Sequence, residues 1–228
     1  MDQENLSKKK YKLALIDPPY LYDNMQQNDP KRGGITYSTM SLKDLSELPI
    51  SNIMDDNSVI VVWVTFPKLC DTYEGKYDAM SMIKSWNYKP VTALFVWIKL
   101  NRKAHIINED ADPYWEEDKG DPNRYEHIKT KDIYSGLGRY TNSNVEFAIV
   151  ARRGKGLPRL AKNVKQLIFA PIGNHSAKPQ EQYNRLYRLF GDVPRIELFA
   201  RSINPPPQGW DFTGLESTGE DIRDFLKQ

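Results

Sequence analysis

Seven runs of mostly apolar residues, separated by polar segments, indicate the strands of a sheet. The longest uninterrupted run, residues 58–65, is apolar at almost every position. A strand with apolar side chains on both faces is covered on both sides, so this run predicts a central strand. The other runs predict strands at residues 12–16, 91–98, 144–151, 165–169, 195–200 and 210–214.

Four segments between these runs have the periodicity of helices. Ser41 suits an N-cap, and Pro179 suits the first position of a later helix that packs on the sheet. A last helix is predicted at residues 219–226. The apolar residues at helical spacing are Leu42, Leu45 and Leu48 in the first segment, Met80, Ile83 and Trp86 in the second (residues 74–86), and Tyr183, Leu186, Tyr187 and Phe190 in the third.

The alternation of strands and helices is typical of the α/β fold class. Residues 1–11 are polar and predict a flexible tail, whereas residues 12–228 predict one domain without repeats or a linker. Residues 21–37 predict a mobile loop. Residues 109–121 contain seven acids and one lysine. Such a run is typical of a solvated loop, and a loop that covers an active site is the alternative.

The first predicted strand runs directly into Asp17-Pro18-Pro19-Tyr20. Proline has no N–H to donate, so the pairing of the strand ends at this point. Asp17 is then expected at the carboxyl end of the strand, the edge at which open α/β sheets bind ligands. The simpler interpretation is that the two prolines only terminate a strand.

These four residues also suit the binding of a planar amine. Asp17 can accept one N–H of an exocyclic amino group, and the Pro18 carbonyl can accept the other. Together they would draw the nitrogen lone pair out of conjugation and activate it toward an electrophilic methyl group. Tyr20 offers a ring on which a base can stack, worth about 1–3 kcal/mol. An acid in first place favours a nucleobase amine over a glutamine amide.

Composition excludes several other classes of protein. The net charge is +2 and the pI about 8.4, which does not mark a general polyanion binder. The single cysteine, Cys70, excludes an internal disulfide. No apolar run approaches the roughly 20 residues of a membrane span, and the N-terminus has no signal-peptide pattern. A soluble cytoplasmic protein, without a membrane partner, is predicted.

Other site chemistry has little support in the sequence. The three histidines, His105, His127 and His175, are scattered, and no cysteine pair exists, so no metal site is predicted. Neither a phosphate-binding P-loop nor a G-x-S-x-G nucleophile motif is present. Residues 152–165 contain six basic residues and no acid. This segment is either a solvated surface or a patch that contacts phosphates.

Several blocks of the sequence resemble the MT-A70 family of adenine N6-methyltransferases, over residues 13–216. Asp17-Pro18-Pro19-Tyr20 stands where that family has Asp-Pro-Pro-Trp or Asp-Pro-Pro-Tyr. The further blocks, in matching order, are Tyr37-Ser38-Thr39-Met40-Ser41, Leu48-Pro49-Ile50, Val62-Trp63-Val64-Thr65, Trp97-Ile98-Lys99, Gly138-Arg139-Tyr140, Val145-Glu146-Phe147, His175-Ser176-Ala177-Lys178-Pro179, Arg195 to Arg201, and Gly209-Trp210-Asp211.

The resemblance implies a single Rossmann-like domain that binds S-adenosylmethionine, with permuted motifs. It places Lys178 at the donor carboxylate, where a helix N-terminus also favours an anion. Arg201 and Asn204 would contact the ribose and methionyl parts, and Glu216 the ribose hydroxyls. The implied donor contacts are Asp17, Lys178, Glu197, Arg201, Asn204 and Glu216. For Glu197 a structural pair with a nearby base remains the alternative.

The implied nucleic-acid contacts come from the motifs and from the basic segment. They are Tyr37, Lys99, Arg139, Arg152, Arg153 and Lys155. Two positions depart from the family pattern: Leu215 stands where many relatives have Asn, and Ile203 where they have His. Two polar donor contacts are therefore missing or supplied by other residues.

The predicted function is transfer of a methyl group from S-adenosylmethionine to the N6 amino group of adenine. The catalytic residues would be Asp17, Pro18, Pro19 and Tyr20. DNA is favoured over RNA because the chain is compact and resembles the small bacterial and phage members. An RNA adenosine methyltransferase and a non-catalytic nucleic-acid-binding partner subunit are the alternatives. Homo- and heterodimers are both left open.

Overall fold

The computed structural model describes residues 9–22, 38–70, 78–104, 129–136, 140–173, 177–201 and 206–227. Within them lie seven strands: β1 (Tyr11–Ile16), β2 (Met54–Val64), β3 (Lys89–Leu100), β4 (Val145–Arg153), β5 (Leu167–Pro171), β6 (Arg195–Leu198) and β7 (Asp211–Thr213). The α-helices of these residues are α1 (Leu42–Ser46), α2 (Phe66–Cys70), α3 (Ala79–Ser85), α4 (Glu181–Phe190) and α5 (Ile222–Phe225). Two short 3-10 turns cover Ile50–Ile53 and Thr130–Asp132.

The strands form one sheet in the order β5-β3-β4-β2-β1-β6-β7. β4 runs antiparallel to β2 and β3, and all the other neighbours are parallel. β2 is therefore the middle strand, as predicted from its apolar run. The carboxyl ends of the six parallel strands share one edge of the sheet, and the start of β4 lies at that same edge. The predicted α/β fold class is confirmed.

Both faces of the sheet are covered, because alternate side chains of a strand point to opposite faces. In β1, Ala14 and Ile16 belong to a core with Leu45 of α1, residues of α3 and Phe225 of α5. Leu13 and Leu15 point the other way, into a core with α4. These four side chains are at most 1% exposed. β1 thus holds the residue that follows it, Asp17, in a fixed position.

The helix boundaries agree in part with the sequence pattern. Ser41 caps α1, with its Oγ accepting a hydrogen bond from Asp44 N at 3.1 Å. Pro179 is not the first residue of α4, because Gln180 is the N-cap and Glu181 the first helical residue. Tyr187 was predicted to pack on the sheet, but it is 51% exposed. Its ring instead faces the Arg195 guanidinium, 5.5 Å from the ring centre.

β3 begins one residue before Pro90, where the sequence predicted a strand only from residue 91. Proline cannot donate to the ladder, and the register between β3 and β4 shifts between Pro90 and Thr92. The irregularity lets the strand continue through the proline. In the described ranges, no helix is long and apolar enough to cross a membrane. Tyr11, predicted as the last residue of the flexible tail at 1–11, is instead the first residue of β1 and is fully buried. Residues 1–8 of that tail, the charge run at 109–121 and almost all of the loop predicted at 21–37 lie outside the described ranges.

Candidate active site

The turn after β1 is fixed by backbone hydrogen bonds to the segment before α1. Met40 N donates to Pro19 O at 2.8 Å, and Leu21 N donates to Met40 O at 2.9 Å. Tyr20 N donates to the Pro18 carbonyl at 2.9 Å. Because a carbonyl oxygen has two lone pairs, the Pro18 carbonyl can accept a second hydrogen bond from a ligand. The turn is therefore held rigidly without using up this acceptor.

Tyr20 does not have the role predicted for it as a stacking surface. Its side chain is only 6% exposed and packs in the core shared with α1 and α3. The phenol donates a hydrogen bond to the Trp63 carbonyl at 3.1 Å. Burial raises the pKa of this phenol well above its usual value. Tyr20 anchors the turn to β2, and its ring has no free face for a base.

Asp17 belongs to a buried group of four charged side chains drawn from four segments. Lys178, just before α4, lies 2.7 Å from Asp17 Oδ2 through its Nζ. The same ammonium is 3.4 Å from Glu146 Oε2 in β4. Glu146 Oε1 also pairs with Lys99, near the end of β3. Two ammonium groups and two carboxylates therefore alternate along one chain of contacts, Asp17-Lys178-Glu146-Lys99, here called the ion cluster.

The pKa shifts of Lys178 and Glu146 both favour the charged form of the side chain. Burial of the Lys178 ammonium lowers its pKa, but the attraction of Asp17 and then of Glu146 outweighs that effect. The net result is a Lys178 pKa above its usual value. For Glu146, burial raises the pKa, and the attraction of Lys178 and Lys99 brings it below its usual value. Each charge is held in place by its opposite neighbours.

Glu197 lies beside Leu15 in the pairing of β1 and β6, on the face covered by α4. Its Oε2 accepts a hydrogen bond from the Tyr183 hydroxyl at 2.7 Å. Burial raises the Glu197 pKa to about 7, and the hydrogen bond from Tyr183 only partly opposes this. Glu197 is therefore the carboxyl group near the site that titrates close to neutral pH.

A cleft of about 610 Å³ opens beside Asp17, over the carboxyl ends of β6 and β7. It lies on the side of β1 away from β2, since β6 and β2 flank β1 on opposite sides. The described residues that line it are Asp17, Pro19, Ser38, Met40, Phe199, Ala200, Arg201, Gly214, Leu215, Glu216, Asp221, Ile222 and Arg223.

The backbone of the cleft has two unusual positions. Phe199, directly after β6, has φ of 61°, which is uncommon for a residue with a side chain. Gly214 follows β7, and a Cβ there would lie 2.5 Å from the Ala200 carbonyl oxygen. Only glycine permits this close approach of the two strand ends. Strained backbone of this kind is frequent at ligand-binding sites.

The structure brings together most of the predicted donor contacts that it describes. Asp17, Arg201 and Glu216 line the cleft. Lys178 contacts Asp17 but is not among the described lining residues, and neither is Glu197. Asn204 lies outside the described residues. Leu215, which replaces a polar residue of the family pattern, is 54% exposed at the cleft.

The predicted nucleic-acid contacts divide into two groups. Lys99 is in the ion cluster. Arg152 and Arg153 lie at the far end of β4, and Arg153 pairs with Asp56 at 2.9 Å. Arg152 is six positions beyond Glu146 in β4, a distance of about 20 Å along a strand. A nucleotide at Asp17 therefore does not contact Arg152, Arg153 or Lys155, because β4 carries them to the opposite edge. Tyr37 and Arg139 lie outside the described residues.

Glu146 is the main site residue that the sequence reasoning did not select. It is 7% exposed and stands at the start of β4, directly before the apolar residues 147–151. An acid in such a run was a usable signal, because a buried carboxylate requires a partner. In the part of the chain that the structure describes, no group of three or more His, Cys, Asp or Glu could hold a metal ion.

Comparison with known proteins matches the MT-A70 family over residues 11–216. The type II methyltransferase M.MunI of Mycoplasma sp. is 28% identical over 228 residues, which cover 92% of this chain and 79% of that protein. An N(6)-adenosine-methyltransferase MT-A70-like protein of Drosophila melanogaster is 27% identical over 92% of this chain. The N(6)-adenine-specific methyltransferase METTL4 of Homo sapiens is 23% identical over 92% of this chain.

These matches differ in how much of each relative the chain covers. It spans most of the Mycoplasma protein, but only 27% of the Drosophila protein and 38% of the human one. The family match covers nearly the whole chain. It includes the strand before Asp17, the ion cluster and the cleft residues up to Glu216. The predicted identification as an S-adenosylmethionine-dependent adenine N6-methyltransferase of this family is confirmed. The chain belongs to the MT-A70 family and folds as a Rossmann-like methyltransferase domain.

Proposed function

We propose that this chain transfers a methyl group from S-adenosylmethionine to the N6 amino group of adenine in nucleic acid, and that it prefers DNA to RNA. The observation that carries the proposal is the position of Asp17. Its carboxylate is 2.7 Å from Lys178 Nζ and also lines the cleft of about 610 Å³. The same side chain thus adjoins both the space for a donor and the turn that can hold an acceptor amine.

On the acceptor side, Asp17 and the Pro18 carbonyl bind the two hydrogens of the amino group. Asp17 contacts Lys178 through Oδ2, and a carboxylate has lone pairs enough for a further N–H. Holding both hydrogens in this way localises the lone pair on nitrogen. The proton that the nitrogen loses passes to solvent. Catalysis then rests on positioning and polarisation, without a covalent enzyme intermediate.

On the donor side, the cleft beside Asp17 is the proposed site of the cofactor. S-adenosylmethionine supplies an electrophilic methyl group when it is bound. Arg201 and Glu216, which line the cleft, would contact its ribose and methionyl parts, and Asn204 is assigned the same role from the family resemblance alone. Lys178 keeps a raised pKa and is the ammonium nearest to Asp17, which suits it to bind a carboxylate. Glu197 is the candidate acceptor for the donor's ammonium group.

The preference for DNA is supported by the pattern of relatives. The chain spans 79% of a type II methyltransferase. In contrast, it spans only 27% of the Drosophila protein whose name specifies adenosine methylation and 38% of the human adenine-specific methyltransferase. Lys99 is the proposed nucleic-acid contact at the site itself. A cytoplasmic location, at the nucleoid in a bacterial cell, and assembly as a homo- or heterodimer are also part of the proposal.

The test is a methyl-transfer assay with the purified chain. DNA and RNA oligonucleotides of matched sequence are incubated with donor labelled in the methyl group, and the digested nucleosides are analysed by mass spectrometry. The expected product is N6-methyldeoxyadenosine, formed faster than the corresponding ribonucleoside. Label on RNA alone would overturn the preference for DNA. Label at any atom other than N6 would overturn the proposal itself.

A non-catalytic partner subunit is the second candidate function, and one observation favours it. Leu215 is exposed at the cleft where many relatives have a polar residue. Titration calorimetry with S-adenosylmethionine separates the two functions. Donor binding by the isolated chain supports the enzyme. If the chain binds single-stranded nucleic acid but not the donor, the partner function is the correct one.

A further inference from the structure

We infer that Phe66 provides the aromatic surface on which a base of the nucleic acid stacks, the role for which the sequence pointed to Tyr20. The inference rests on the proposed function, because it concerns the acceptor side of the same site. Tyr20 is excluded from that role by its burial, at 6% exposure, and by its hydrogen bond to Trp63. Phe66 is the first residue of α2 and is 61% exposed.

The position of Phe66 in the sheet matches the direction from which a base has to approach. The cleft lies over β6 and β7, on one side of β1, whereas Phe66 follows β2 on the other side. In a displacement at carbon, the attacking nitrogen and the leaving group lie on opposite sides of the methyl. With the leaving group in the cleft and the amine at Asp17, the base extends away from the cleft, toward β2 and β4.

A second ring enlarges the surface on that side. Phe147 pairs with Val64 across β2 and β4, and its ring centre lies 6.4 Å from that of Phe66, with 55° between the planes. Phe147 directly follows Glu146 of the ion cluster. Phe147 is thus next to Glu146 near the start of β4 and opposite Val64 at the end of β2. The aromatic pair therefore lies at the same edge of the sheet as the site.

The segment that carries Phe66 is attached to the turn after β1. Thr65 Oγ1 lies 2.9 Å from the Tyr22 hydroxyl, within hydrogen-bond distance. Lys68 Nζ, in α2, lies 5.1 Å from the centre of the Tyr22 ring. These contacts hold Phe66 in a fixed position relative to Asp17.

Exposure alone does not make a residue a binding surface, because single exposed apolar residues are normal. Leu160 provides the comparison, since it is also 61% exposed. Its backbone N–H donates to the Leu189 carbonyl near the end of α4, at the edge of the sheet opposite the site. Phe66 differs from Leu160 by its position at the carboxyl edge and by the adjacent Phe147 ring.

The experiment compares strand binding by Phe66 variants and by a matched control. Single-stranded oligo(dA) and a strand of the same length made only of abasic units are titrated at one fixed salt concentration. Phe66→Ala is expected to bind oligo(dA) about tenfold more weakly than the wild-type chain, because loss of one base stack costs about 1–3 kcal/mol. Phe66→Trp restores the affinity, and Phe66→Leu lies between. Leu160→Ala has no effect.

The abasic strand separates stacking from other effects. Without bases, the wild-type chain and Phe66→Ala are expected to bind equally within about twofold, a difference of about 0.4 kcal/mol. Equal weakening on both strands, or equal binding of oligo(dA) by all Phe66 variants, overturns the inference. If the wild-type chain methylates oligo(dA) but Phe66 has no effect, only the inference fails. If it neither binds nor methylates adenine in any strand, the proposed function fails as well.

Discussion

The two ends of β4 carry the same kinds of charged residues in opposite environments. At its start, Glu146 is 7% exposed and joins Lys99 and Lys178 in the buried ion cluster. At its end, Arg153 pairs with Asp56, whose side chain is 88% exposed. The side chains of the first group are largely buried, at 20% exposure or less, whereas Asp56 in the second group is in contact with water.

This difference determines what each group contributes. A surface pair contributes about 0–1 kcal/mol, because water competes for both charges. Buried charges require every partner, since removing one leaves another without compensation at a cost of about 3–5 kcal/mol. The alternation of two lysines and two acids neutralises the ion cluster. Removing four charged groups from water opposes folding, so such a cluster contributes little net stability. It is typical of sites where charged side chains take part in binding or catalysis.

The largest expected effect is that of Glu146→Ala. Two buried ammonium groups lose their shared carboxylate, so the free energy of unfolding should fall by about 3–5 kcal/mol. Urea denaturation measures the change. Methyl transfer should fall as well, because Lys178 loses one of the two carboxylates that position it.

Asp56→Ala is the matched control at the other end of the strand. It removes an acid that also pairs with a basic residue, but in an exposed pair. The expected loss is below about 1 kcal/mol. Equal losses for Glu146→Ala and Asp56→Ala would show that the two ends of β4 do not differ in the way burial indicates.

Asp17→Asn is expected to have the next largest effect, and it acts on the rate. The substitution keeps the shape of the side chain but replaces one carboxylate oxygen by an amide that donates hydrogen bonds. Loss of one positioned polar group typically lowers kcat by about 10²–10³-fold. A labelled-methyl assay measures this, and calorimetry should show that the donor still binds. A variant with unchanged kcat would remove Asp17 from the mechanism.

Glu197 makes the free energy of unfolding depend on pH, by about 3 kcal/mol at most, because its pKa is raised from 4.5 to about 7. The folded state binds this proton more tightly than the unfolded state. The stabilisation that the protonated Glu197 carboxyl adds to the folded state is therefore fully present below about pH 4.5. It is lost as the pH rises to about 7 and does not change further at higher pH. Glu197→Gln should remove this part of the pH dependence of the urea midpoint. An unchanged profile would contradict the raised pKa.

Much of this arrangement follows from local sequence, and the rest does not. Asp17 was placed correctly because an apolar run followed by two prolines is a local signal for the end of a strand. The central position of β2 followed from its apolar residues on both faces. The contact of Asp17 with Lys178 spans 161 positions in the sequence, and only the family resemblance pointed to both residues.

Other features depend on tertiary packing and have no local signal. The direction of β4 depends on which strands it joins, so its antiparallel pairing could not be predicted. An aromatic residue such as Tyr20 after a turn is compatible with either an exposed or a buried ring. In the structure the ring is buried because it packs in the core with α1. Charge alone left residues 152–165 open between a solvated surface and a patch that contacts phosphates. The position of Arg152 and Arg153 at the opposite edge follows from the length and direction of β4.

The smallest expected effect belongs to that opposite edge. Each phosphate contact of a basic residue with single-stranded DNA adds about 0.7 to the slope of log affinity against log salt concentration. The double variant Arg152→Ala with Lys155→Ala should leave this slope unchanged, because these residues lie at the edge away from Asp17. Lys99→Ala should lower the slope, since Lys99 lies at the site. A slope lowered by about 1.4 in the double variant would instead show that both residues contact phosphates. The nucleic acid would then have to reach both ends of β4, and the two ends would form one binding surface.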